Sequence, residues 1–122
     1  MDIKQQKQRI QEIVVKPMLS MMQGFEGDSS LEWDSYTEED VADCQEILEA
    51  YVDSLAALDH PTDKAIMDVV KKVVLALNAW NEPNDFIETE EREWLWEFIQ
   101  KCAADCGLKD APDDVTEAWR EW

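Results

Sequence analysis

The chain has 122 residues, 45% of them hydrophobic, and its 29 acidic and 11 basic residues give a formal net charge of −18. This length suits one core, so we expect a single domain over residues 1–122, and the hydrophobic fraction argues against a disordered chain. The shortage of Lys and Arg argues against direct binding of nucleic acid, because those side chains supply most of the affinity for phosphate.

The negative charge is concentrated in one region of the chain. Residues 17–63 contain thirteen Asp and Glu and no Lys or Arg, whereas the remainder has sixteen acids and eleven bases. A field of this sign attracts positively charged molecules. We therefore expect a basic protein partner.

No stretch has the pattern of a targeting signal or a membrane span. The residues MDIKQQKQRIQ at the N-terminus lack the apolar core of a signal peptide. The most apolar run, VVKKVVLALNAW at 69–80, is shorter than the roughly 20 residues needed to span a bilayer. We expect a cytoplasmic protein with no membrane partner, and its three cysteines, an odd set without framework spacing, to be reduced thiols.

The first predicted helix covers about 2–23 and is kinked at Pro17, which removes a backbone donor and clashes one turn back. Gly24 is a plausible C-terminal stop. Residues 24–36 are predicted to form a loop whose aromatic residues, Trp33 and Tyr36 among them, pack over the core.

The second predicted helix covers 37–58. Thr37 and Asp40 match a capping box at its start. Its apolar residues recur three and four apart, which defines a buried face. The opposite side carries acids that have no Lys or Arg three or four residues further on to offset them, namely Glu39, Asp43, Glu46 and Asp53.

Two further main helices are predicted at 62–81 and 89–106, the second with Thr89 as N-cap and Gly107 after its end. The 62–81 helix is apolar almost all round in its second half, so we expect neighbours on several sides. VTEAWREW, at 115–122, is expected to add a short C-terminal helix. The fold class predicted is all-α, a compact bundle of four main helices plus this short one.

No pattern of residues indicates a reaction. The chain lacks a nucleophile motif, a glycine-rich phosphate loop and a Glu-x-x-His pair, so we expect no enzyme, no catalytic residue and no cofactor. Cys102 and Cys106 lie four apart, but without the spacing of a structural zinc site, so no metal is predicted. Residues 28–39 superficially resemble an EF-hand loop, with Trp33 where that loop needs Gly, and loosely held calcium there stays open.

Trp96 is predicted to lie on the side of the last main helix that carries Glu93, Glu97 and Gln100. An exposed tryptophan rimmed by acids is typical of an anchor for a basic partner. Cover by Trp119 and Trp122 is the alternative. The candidate partner-binding residues come from the loop, from the acidic helix and from this position, and they are Glu32, Trp33, Asp34, Glu39, Asp43, Glu46, Asp53 and Trp96.

The size, the charge of −18, the acidic block at 17–63 and stretches such as IETEEREWLWEFI and DVTEAWREW resemble the small, acidic, helical immunity proteins of bacteria. That resemblance implies a non-enzymatic inhibitor whose acidic surface neutralises a basic toxin or nuclease. Phage inhibitors that mimic DNA look much the same. The alternative is a helical scaffold or self-associating subunit whose charge serves solubility alone.

Overall fold

A computed structural model describes residues 1–26 and 35–122 of the chain. Five α-helices occur in this part: α1 is Ile3–Arg9, α2 is Lys16–Glu26, α3 is Glu38–Ala56, α4 is Asp63–Asn81 and α5 is Thr89–Asp105. The described residues contain no β-strand, so the all-α prediction is confirmed for them. None of their helices is long and apolar enough to cross a membrane.

The first predicted helix is one continuous helical stretch with a change of type before Pro17. A π-helical segment, Ile10–Val15, joins α1 to α2, and the Lys16 amide donates to the carbonyl oxygen of Gln11. Pro17, the second residue after this segment, has no N–H to donate to a carbonyl oxygen one turn earlier. The helix also continues past Gly24 to Glu26, so the predicted stop at Gly24 is wrong.

Local capping sets the starts of the other helices. Thr37 and Asp40 form the predicted capping box of α3, and the Thr62 hydroxyl accepts from the Ala65 amide at the start of α4. The N-cap of α5 is Glu88 rather than Thr89, because the buried Glu91 carboxylate accepts from the Glu88 amide at 3.1 Å. These caps place the observed boundaries within about two residues of the predicted ones.

The helices pack in a cycle of neighbours. The N-terminal stretch contacts α3 and α5 through its π-helical segment, α3 contacts α4, and α4 contacts α5. One core lies between them and includes Ile10, Leu48, Leu77 and Phe98, all fully buried. The α4 helix is thus one wall of a bundle, and its outward Leu75 is 47% exposed, contrary to the expectation that neighbours surround it.

The C-terminal segment forms hydrogen-bonded turns over 115–119 and not the short helix predicted there. The amide and hydroxyl of Thr116 both donate to the Asp114 carboxylate, a local bonding pattern that competes with helix continuation. Val115 and Thr116 are buried, and Asn78 of α4 holds the end of the chain through two hydrogen bonds. Trp119 and Trp122 pack partly buried against the core.

Candidate functional site

The outer face of α3 carries Glu39, Asp43 and Glu46, and all three side chains are exposed. Spacings of four and three residues place them along one side of the helix, with α-carbons rising about 10 Å over the set. Within residues 1–26 and 35–122, none of the three has a basic side chain within 4 Å. The structure therefore presents three unneutralised carboxylates side by side, and we call them the α3 acidic face.

Asp53 differs from these three acids. Its carboxylate lies 3.3 Å from the Lys7 ammonium of α1, and its side chain is 59% exposed. An exposed pair of this kind contributes roughly 0–1 kcal/mol to stability. The pair nevertheless offsets the charge of Asp53. Lys7 lies on another helix, so the sequence pattern within α3 did not reveal it as a partner.

Trp96 lies on α5, away from the α3 acidic face. It is partly buried and lines an open depression of about 440 Å³ together with Glu93, Glu97, Gln100 and Lys101. Its indole Nε1 is buried and has no hydrogen-bond partner in the described part of the chain. The indole is thus neither fully exposed nor fully covered, and the depression shares no lining residue with the α3 surface.

The remaining predicted residues, Glu32, Trp33 and Asp34, lie outside the described residues, as does most of the window that resembles a calcium loop. Where the chain is described, no group of three or more His, Cys, Asp or Glu side chains is placed to hold a metal. The three cysteines are free, and burial raises the pKa of both Cys44 and Cys102 to about 12. These two thiols are therefore protonated at neutral pH and lack thiolate reactivity.

An open groove between α3 and α4 was not anticipated from the sequence. Its volume is about 530 Å³, and its apolar lining comes from Ile47, Ala50, Val69, Val73 and Ala76. Asp43 and Glu46 of the α3 acidic face line one side, and Lys72 of α4 lines the other. The α3 acidic face therefore borders an apolar depression, which matters for how a partner could dock.

A buried carboxyl group was also missed. Glu91 is only 4% exposed, and it accepts hydrogen bonds from the Glu88 amide and, at 3.3 Å, from the Tyr36 hydroxyl. Burial raises its pKa above the ordinary value, although both hydrogen bonds act in the opposite direction. Tyr36 is itself fully buried, so its bond to Glu91 anchors the residues just before α3 to α5.

Buried polar groups also join the N-terminal stretch to α5. The fully buried Gln6 donates to the Asp105 carboxylate at 2.7 Å and accepts from the Cys102 thiol at 3.0 Å. Arg9 pairs with the same Asp105 carboxylate. Because both polar atoms of the Gln6 amide have partners, this cluster fixes the helix pair in one register, and we assign it a structural role.

Comparisons with protein families, with curated proteins and with solved structures give no match to this chain. Its function is therefore inferred from the α3 acidic face and the groove beside it.

Proposed function

We propose that the protein is a non-enzymatic, cytoplasmic inhibitor that neutralises a basic partner protein, such as a bacterial toxin or nuclease, in the way immunity proteins do. The observation that supports this proposal is the α3 acidic face, with Glu39, Asp43 and Glu46 exposed and without ion-pair partners among the described residues. It lies within the part of the chain that has no Lys or Arg.

The electrostatics explain why such a face suits a basic target. A net charge of −18 attracts a positively charged surface over long range and accelerates encounter, and unpaired carboxylates then meet Lys and Arg without first losing another partner. A nuclease must carry basic residues to bind phosphate. A row of carboxylates can occupy those residues in place of the nucleic acid and so prevent substrate binding.

The test is association with the product of the adjacent gene, measured by calorimetry from about 0.1 M to about 1 M NaCl, over which the screening length falls from about 10 Å to about 3 Å. We expect affinity to fall steeply with salt. The triple variant Glu39→Lys, Asp43→Lys, Glu46→Lys should abolish binding.

The matched control is Glu82→Lys, Glu117→Lys, Glu121→Lys, which makes the same change in net charge at three exposed positions elsewhere. It should retain most of the affinity. If both triple variants lose the same amount of affinity, the net charge of the protein governs binding and the position of the α3 acidic face does not. Binding that is absent or insensitive to salt would refute the proposed electrostatic inhibition.

A further inference from the structure

The groove between α3 and α4 has the dimensions of a helix-binding site. Along α3 its lining runs from Asp43 to Ser54, about three helical turns or roughly 16 Å. Anchors at positions i, i+4 and i+7 of a bound helix span about 10 Å, so they fit within this length.

The charges that border the groove differ between its two sides. Asp43 and Glu46 line the α3 side, and Lys72 lines the α4 side. Among the residues that the structure describes, none of these three forms an ion pair within 4 Å. A partner therefore meets an apolar floor with negative charge along one edge and a positive charge along the other.

A second copy of this chain is a poor occupant, because two molecules of charge −18 repel each other strongly. A helix is complementary to the groove in both shape and charge if it has an apolar stripe, Lys or Arg on the side that meets Asp43 and Glu46, and no basic residue on the side that meets Lys72.

We propose that the groove between α3 and α4 binds an amphipathic basic helix of the partner protein, whose apolar side chains lie over Ile47, Ala50 and Val69 while its basic side chains face Asp43 and Glu46. This inference rests on the proposed function and adds to it the structural element of the partner that is recognised. The groove supplies specificity for an apolar stripe, which the α3 acidic face alone lacks.

The probes are two synthetic helical peptides of equal length and equal positive charge. One carries leucine at positions i, i+4 and i+7 with lysines along one side of that stripe only, and the other carries alanine at the leucine positions. Binding is measured by fluorescence anisotropy of the labelled peptides. We expect the leucine peptide to bind at least about tenfold more tightly, which corresponds to about 1.4 kcal/mol.

The diagnostic variant is Ala50→Trp, which fills the groove from an exposed position on α3 without changing charge. It should reduce the affinity of the leucine peptide to that of the alanine peptide and leave the alanine peptide unaffected. Ala104→Trp is the matched control, at an exposed position of α5 that lines neither depression. Circular dichroism and melting temperature show whether each variant is folded.

The outcomes separate this inference from the proposed function. Equal affinities for the two peptides, or a leucine preference that survives in folded Ala50→Trp, overturn the groove as a binding site and leave electrostatic inhibition standing. If neither peptide binds at low salt, the result contradicts both the groove as a binding site and the proposed electrostatic inhibition. If the free protein is a dimer in sedimentation and Ala50→Trp but not Ala104→Trp dissociates it, the occupant is a second copy and the proposed partner helix is wrong.

Discussion

Replacing Asn78 by Asp should release the C-terminal segment from α4 at neutral pH. Asn78 is 7% exposed, and its side-chain amide donates to the Trp119 carbonyl oxygen at 2.8 Å. Its side-chain oxygen accepts from the Glu121 amide at 3.1 Å. Asp keeps the second bond but directs a carboxylate oxygen at the Trp119 carbonyl, so a hydrogen bond becomes a repulsive contact.

The magnitude follows from the loss of the bond to the Trp119 carbonyl oxygen. A neutral hydrogen bond contributes about 0.5–1.5 kcal/mol net, but removing one partner and leaving the other unsatisfied inside the protein costs about 1–3 kcal/mol. We therefore expect Asn78→Asp to lose about 1–3 kcal/mol of unfolding free energy. At about 4 °C per kcal/mol for a domain of this size, the melting temperature should fall by about 4–12 °C.

The assay is urea denaturation followed by tryptophan fluorescence and by circular dichroism, with Asn84→Asp as control. Asn84 is exposed in the turn after α4, and the control adds the same charge, so its cost should stay below about 0.5 kcal/mol. The pH dependence is a second signature. Once protonated, the introduced carboxyl group can donate to the Trp119 carbonyl, so the cost should shrink on acidification to about pH 4.

Two results would refute this reasoning. If Asn78→Asp is as stable as the control at pH 7, the end of the chain is not held by Asn78. If its cost is the same at pH 4 and pH 7, the carboxylate does not face the Trp119 carbonyl, and the loss has another cause.

Two further predictions concern the core. Because burial raises the folded-state pKa of Glu91, its contribution to stability is full at low pH and is lost as pH rises through that pKa. The stability of Glu91→Gln relative to the wild type should therefore increase from about pH 4 to pH 7, and that of the exposed Glu93→Gln should not. If the stability of the wild type and of Glu91→Gln changes in parallel with pH, burial does not raise the pKa of Glu91. Leu77→Ala, at a fully buried position, should cost about 2–5 kcal/mol in urea denaturation, and Leu75→Ala, at 47% exposure, well under 1 kcal/mol. Similar costs would show that the outward side of α4 is covered.

The parts of the fold that the sequence predicted depend on local chemistry. Thr37, Thr62 and Gly107 mark helix ends through bonds or backbone angles confined to a few neighbouring residues, and Gly107 has the left-handed φ of 110° expected after a helix. Such signals are present in the order of residues itself. The positions of these helix ends therefore follow from the sequence alone.

Buried polar residues are hard to recognise from the sequence, although their spacing contains a signal. Glu91 lies four residues before Leu95 and seven before Phe98, so it belongs to the buried stripe of α5. A stripe defined by apolar residues alone excludes Glu91, and the helix dipole accounts for an acid in the first turn without any burial. Gln6 shows the same feature, four residues before the buried Ile10.

The groove and the Lys7–Asp53 pair could not be predicted, because both depend on the distance between helices far apart in the chain. Periodicity identifies which face of α4 is apolar, but not whether a neighbour covers it. The exposed Leu75 and the partly exposed Val69 and Ala76 show that the apolar surface of α4 exceeds what its neighbours bury.

The acidic residues of this molecule differ in whether a basic side chain pairs with them. Asp53 of α3 and Asp105 of α5 have basic partners on α1, and these two pairs fasten the N-terminal stretch to the bundle. Asp114 pairs with Arg120 inside the C-terminal segment. Charge that serves solubility alone is best interspersed with the opposite sign. Among the described residues, no basic side chain pairs with the α3 acidic face, and this face borders an apolar groove. Repulsion among these carboxylates destabilises the free protein, and Lys or Arg side chains placed against them would relieve that repulsion.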